Sequence, residues 1–187
     1  MNRVVGLSAV CLGVVLLLCN STNPVATTDD SFPLAVGNRW DLMTVREESF
    51  LKEIHYEVVG SPTVEGSRLY LLRVWCNDDT VGYVDTVTIG ENDKIRFGTN
   101  SFGGYVVDFS RSDNEVYQSG EYLVTVKTPV TVETPEGEID NCIDFYFDVP
   151  ECCDEECGYT FAPGIGLIRV YGAWAMDCRL MSHVLNR

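Results

Sequence analysis

Ile139-Asp140-Asn141-Cys142-Ile143-Asp144-Phe145-Tyr146-Phe147-Asp148-Val149 is the stretch that decides the fold class. Ile139, Ile143, Phe145, Phe147 and Val149 alternate with Asp140, Cys142, Asp144, Tyr146 and Asp148, which is a period of two and not the 3.6 of a helix. Successive side chains of a strand point to opposite faces, so this segment has one buried face and one wet one, as in an antiparallel sheet.

Working outward, Ile54, Tyr56 and Val58 alternate with Glu53, His55 and Glu57, and Tyr122, Val124 and Val126 with Leu123, Thr125 and Lys127. Further strands are expected over Arg39 to Val45, Arg68 to Cys76, Tyr83 to Ile89, Lys94 to Phe97, Tyr105 to Phe109, Val130 to Thr134, Leu167 to Met176 and Cys178 to Val184. Turn formers such as Ser61-Pro62, Glu65-Gly66, Gly103-Gly104, Pro135-Glu136-Gly137 and Pro163-Gly164 separate them. No ten-residue segment carries an apolar stripe at helical spacing. The chain therefore reads as all-β, a single antiparallel meander of about eleven strands curved into a half-barrel, a barrel or a sandwich. Pro129 cannot donate to a ladder, so the segment around it must bend or lie at an edge.

Composition fits one globular domain. The chain has 187 residues, 45% of them hydrophobic, enough to bury a core. It carries 28 acidic against 13 basic side chains, a formal net charge of -15. Phosphate neutralisation needs a basic surface, so nucleic acid and anionic membrane surfaces are excluded as partners.

Asn2 and Arg3 precede an apolar run from Val4 to Leu18, and no acid occurs before Asp29, so residues 1–18 read as a secretory signal peptide. A spanning helix needs about 20 apolar residues, and this run is shorter. Leu16-Leu17-Leu18-Cys19 resembles a bacterial lipobox, which implies that Cys19 is diacylated, becomes the mature N-terminus and anchors the chain to a membrane. It departs from that pattern at Leu18, where a small residue is usual; ordinary secretion is the alternative. Residues 19–31 then form a flexible tether and 32–187 a β-rich globular domain.

Three segments carry a wider resemblance: Phe32-Pro33-Leu34 with Gly37 and Trp40, Gly137-Glu138-Ile139-Asp140-Asn141-Cys142, and Phe161-Ala162-Pro163-Gly164-Ile165-Gly166-Leu167-Ile168. Together they resemble uncharacterised exported bacterial β-proteins, which are themselves similar to periplasmic lipoprotein-carrier folds. The resemblance implies an open half-barrel of curved antiparallel sheet and no established activity. Cys152, Cys153 and Cys157 depart from its pattern. Read physically, Gly164 and Gly166 make a tight turn into the strand from Leu167, and no helix follows that could complete a phosphate cradle. Trp40, Trp75 and Trp174 are expected in the core, with ligand stacking as the alternative.

Beyond Cys19, six cysteines remain: Cys76, Cys142, Cys152, Cys153, Cys157 and Cys178. Export favours disulfides, so all six are candidates, in a pairing that the sequence leaves open. Strain disfavours a bridge between the vicinal Cys152 and Cys153. The run from Glu151 to Cys157 lacks the paired knuckles of a zinc site, and its acids oppose a reactive thiolate, so neither metal nor cofactor is expected. Asp140, Asp144 and Asp148 lie roughly 13 Å apart along a strand, too far to share a proton, and read as a charged outer face. His55 and His183 have no marked partners, and no Gly-x-Ser-x-Gly elbow occurs, so an enzyme is not expected. The leading function is a non-catalytic envelope protein, in the periplasm or at the cell surface, holding a lipid-like apolar ligand or an envelope protein on its curved sheet. A structural or assembly role is the alternative. A cavity lined by Trp75, Tyr83 or Phe145 would support carriage, and a filled interior the structural role.

Overall fold

Alternation along the chain produces thirteen strands among the described residues. In the computed structural model, which describes residues 31–46, 53–77, 82–91, 94–98, 104–150, 156–172 and 176–186, these are β1 (Arg39–Thr44), β2 (Glu53–Gly60), β3 (Thr63–Val64), β4 (Ser67–Cys76), β5 (Tyr83–Ile89), β6 (Lys94–Phe97), β7 (Val106–Asp108), β8 (Val116–Ser119), β9 (Tyr122–Thr134), β10 (Gly137–Asp148), β11 (Cys157–Ala162), β12 (Gly166–Gly172) and β13 (Met176–Val184). The expected signal peptide, Cys19, the tether up to residue 30, Cys152, Cys153 and Trp174 lie outside the described residues.

The strands form one antiparallel sheet in the order β7-β6-β5-β4-β2-β1-β13-β12-β11-β10-β9-β8, with β3 paired to β4. β1 pairs with β13, Trp40 lying opposite His183, which joins the first and last strands. The sheet curls into a nearly closed barrel with one unsealed seam, between β7 and β8.

Three strands escape the sequence reading: β3, β8 and β11. β11 is buried on both faces, so nothing alternates along it. The expected strand Leu167 to Met176 is instead the body of β12 and the first residue of β13. Tyr122 to Thr134 is a single strand through Pro129; β8 covers only Tyr122 to Thr125 of it, so Pro129 does lie on an uncovered edge. In β10, Asn141 adopts a positive φ of 59° and the register against β9 shifts on both sides of Cys142. That bulge moves Cys142 from the wet face, where alternation puts it, to a fully buried position.

Aromatic rings fill the lower interior. Phe32 lies 4.9 Å from Trp40, 5.3 Å from Phe161 and 5.9 Å from Phe97, so it touches walls on opposite sides of the barrel. Phe109 meets Phe145 and Phe161 edge to face, each at 5.3 Å. Burying each such ring stabilises by about 1.5 to 3 kcal/mol, and edge-to-face pairing adds to this. Phe145 is thus part of a packed core.

Candidate functional site

The interior has two chemically different ends. One end holds the ring cluster of Phe32, Trp40, Phe97 and Phe161. At the other, inward positions near the strand ends carry hydroxyls and thiols: Cys76 lies opposite Ile54, Tyr83 opposite Val74, Cys157 opposite Phe147 and Cys178 opposite Thr44. Tyr105 stacks on Phe147 at 4.4 Å and meets Tyr122 edge to face at 4.5 Å, and Tyr159 lies 5.8 Å from Phe147. The Cys157 thiol donates to the Tyr105 hydroxyl at 3.3 Å. Burial raises the pKa of Tyr56 and of Tyr159 well above the ordinary phenol value; Tyr83, Cys76, Cys178 and Cys157 add to this at Tyr56. Tyr83 is 41% exposed, and Cys76, Tyr122 and Cys157 are half-buried, so this end offers phenol and thiol groups to solvent.

Among the described residues no disulfide joins any two of Cys76, Cys142, Cys157 and Cys178, so the expected bridges among these four are not supported, and pairings with Cys152 or Cys153 lie outside the described residues. The register explains it. β2 and β1 separate Cys76 from Cys178, and Cys142 sits in the bulge of β10 with its thiol directed at the Ile139 carbonyl, 3.1 Å away. Burial pushes the Cys142 thiol up to about 11 and that of Cys178 to about 12.

His55 is not isolated, as the sequence suggests, but 7% exposed on the outer face. Its Nδ1 lies 2.6 Å from Asp41 Oδ1, and its Nε2 3.4 Å from Glu53. Trp75 is not a core residue either; it stacks on His55 at 4.9 Å, with the guanidinium groups of Arg73 and Arg39 at 4.9 and 5.2 Å from its ring centre. Burial alone would raise the Asp41 carboxyl, but hydrogen bonds from His55, Arg39 and Ser182 outweigh it and hold the group below the ordinary carboxylate range. Ser182 donates to Asp41 at 3.0 Å and not to the imidazole, so the three residues lack the nucleophile-to-base contact of a hydrolase. The signal for this cluster is invisible in sequence because Asp41, His55, Trp75 and Ser182 come from four strands.

Further along the outer face, Asp144 accepts from Thr160 at 2.5 Å and from Tyr171 at 2.7 Å, while Arg169 and Arg179 bracket Asp177. Asp140 accepts from Thr131 at 2.7 Å. Among the described residues, no three of His, Cys, Asp and Glu are placed to hold a metal ion.

Side chains stitch the seam. The Val106 amide donates to Ser119 Oγ at 2.9 Å, and the Tyr117 hydroxyl donates to the Val106 carbonyl at 2.7 Å. Below it, Lys94 and Arg111 both reach the buried carboxylate of Asp108, at 3.5 and 2.9 Å.

No protein-family model and no curated protein matches the chain. Among solved structures it is similar to a "putative exported protein with YmcC-like fold" from Bacteroides fragilis, with a TM-score of 0.50 and 13% identity over 83% of this chain and 99% of that one. It is also similar to a "putative lipoprotein" from Parabacteroides distasonis, with a TM-score of 0.43 and 11% identity over 85% of this chain and 99% of that one. The first of these likenesses is one of fold.

Proposed function

We propose that this chain is an exported, non-catalytic envelope protein, anchored through lipid on Cys19, that holds an amphipathic molecule at the tyrosine-lined end of its barrel. The observation that carries this reading is the polarity split of the interior. Rings seal one end, whereas phenols and thiols gather at the other and reach solvent at Tyr83 and Tyr122. Apolar ring area with a few convergent polar groups is the usual make-up of a ligand site. Export and the anchor are supported by the apolar run ending at Cys19, together with a fold shared with a protein named as exported.

Native mass spectrometry after mild purification tests the reading. A co-purifying amphiphile is expected from the wild type, and Tyr122→Ala with Tyr83→Ala should lose it while keeping the fold. Intact mass of native protein against Cys19→Ser checks the anchor. The ring-filled lower interior favours a second reading, a structural component of the envelope. No co-purifying molecule, together with crosslinks to an envelope protein that survive both tyrosine substitutions, would decide for it.

A further inference from the structure

The two strands at the seam are short, with three residues in β7 and four in β8. Backbone groups alternate in direction along an antiparallel strand. The Glu115 carbonyl accepts from the Val126 amide, on the β9 side. Tyr117 and Ser119, two and four residues on, therefore point their backbone groups at β9, and Val116 and Gln118 point theirs at the seam. Val106 is the β7 residue that faces back, and both its groups are taken by the Ser119 and Tyr117 side chains, not by β8 backbone. Among the described residues, the outward N–H and C=O groups of Val116 and Gln118 meet no strand, and Val116 is 56% exposed.

Next to this edge, on the outer side of Val106, lies a pocket of about 350 Å³ lined by Thr88, Gly90, Glu91, Lys94, Arg96 and Val106. Arg96 is exposed, and its guanidinium has no partner among the described residues. Lys94 is shared with Asp108. An edge that offers main-chain bonds beside a pocket for a side chain is the arrangement used in strand addition, where the backbone gives affinity and the pocket gives specificity.

We propose that the outward edge of β8 binds an extended segment of another protein, which displaces the Ser119 and Tyr117 side chains from Val106, adds a strand at the seam and places a carboxylate side chain in the Lys94 and Arg96 pocket. A second copy of this chain is the less suitable occupant, because each copy carries a net charge of -15 and would be repelled. The proposal is independent of the ligand reading at the tyrosine-lined end.

The test uses a short fluorescein-labelled peptide of alternating valine and threonine with one central aspartate, and its twin with lysine at that position. Fluorescence anisotropy should show the aspartate peptide binding the wild type, with hydrogen exchange slowed at Val116 and Gln118. Gln118→Pro removes an N–H that faces the seam and leaves the bonds to β9 intact, so the protein should still fold and bind at least about tenfold more weakly. Arg96→Glu should reverse the preference in favour of the lysine peptide, which a merely structural role would not do. Binding of neither peptide, or binding indifferent to Gln118→Pro, overturns the proposal. So does a concentration-dependent dimer abolished by Gln118→Pro, which would assign the edge to a second copy.

Discussion

The indole N–H of Trp40 donates to the carbonyl oxygen of Ile165 at 2.5 Å, joining residues 125 apart in sequence. Phe32 packs on the same indole, and Gly166 sits against it so closely that a Cβ there would lie 2.8 Å from Trp40 Nε1. The early Phe32-Pro33-Leu34, Gly37 and Trp40 element and the late Pro163-Gly164-Ile165-Gly166 turn are therefore two halves of one plug. Two motifs that read as unconnected in sequence close the apolar end of the barrel together.

This contact predicts that Gly166→Ala is destabilising for two reasons. Its φ of 100° is strained for any residue with a Cβ, and the added methyl meets the indole ring. A loss of about 1 to 3 kcal/mol is expected from urea denaturation. Trp40→Phe keeps a ring but leaves the Ile165 carbonyl without its donor and should cost a similar amount. Unchanged midpoints for Gly166→Ala would show that the plug tolerates a shift of Trp40.

Acid should unfold the domain through Asp41, Asp108 and Asp177. Each is partly desolvated, which raises its pKa, yet hydrogen bonds and nearby cations win and lower all three. A carboxyl with a depressed folded pKa contributes stability above its unfolded value, about 3.9, and loses that contribution as pH falls through the folded value. Stability should therefore hold from neutral pH down to about 5 and fall steeply below about 4. Asp177→Asn, which removes the partner of Arg169 and Arg179, should be less stable at neutral pH and show a shallower acid limb. Denaturation curves at a series of pH values would check both features.

Period-two patterning made the fold legible because many strands have one dry and one wetter face, as along Leu69 to Val74 and Phe145 to Asp148. It failed at β11, where Tyr159 and Phe161 face the interior while Thr160 is buried beneath Asp144 and Tyr171, so no wet position marks the alternation. It also failed at Cys142, since a bulge at Asn141 changes the face of one residue without changing the composition. The candidate sites were less legible. Val106 meets Ser119, and His55 meets Asp41 and Trp75, only through strand pairing and closure of the barrel, and local spacing carries no trace of either.

The buried thiols of Cys142 and Cys178 should be inert in the native protein and costly at high pH. Burial raises Cys157, takes Cys142 to about 11 and takes Cys178 to about 12. A group whose folded pKa lies above its unfolded value, about 8.5 for a thiol, leaves stability intact below that pH and removes it progressively as pH climbs toward the folded value. Stability should thus decline from about pH 9 upward. An aromatic disulfide reagent at pH 8 should leave Cys142 and Cys178 unmodified in folded protein and react with both in denaturant. Rapid native labelling of Cys178 would contradict its burial, and absence of labelling in denaturant without reductant would restore a disulfide at these positions.

The outer face offers the last prediction, at Gly158. Its neighbour across the β11 and β12 ladder is Tyr171, and a Cβ at Gly158 would fall 2.1 Å from Tyr171 Cζ. The phenol lies over this glycine because its hydroxyl donates to Asp144, which also receives Thr160, and because Arg169 stacks on the ring at 4.3 Å. Gly158→Ala must therefore displace the ring, break the hydrogen bond to Asp144 and loosen the contact with Arg169. Losing one charge-assisted bond costs about 1.5 to 3 kcal/mol, and the cation contact adds less than this at a partly exposed site. Tyr171→Phe removes only the hydroxyl bond and should cost less than Gly158→Ala. The combination Gly158→Ala with Tyr171→Ala relieves the clash, so its loss should be smaller than the sum of the two single losses. Chemical denaturation of the four proteins measures that coupling; additive losses would show that Gly158 is required for its own backbone and not for the ring that covers it.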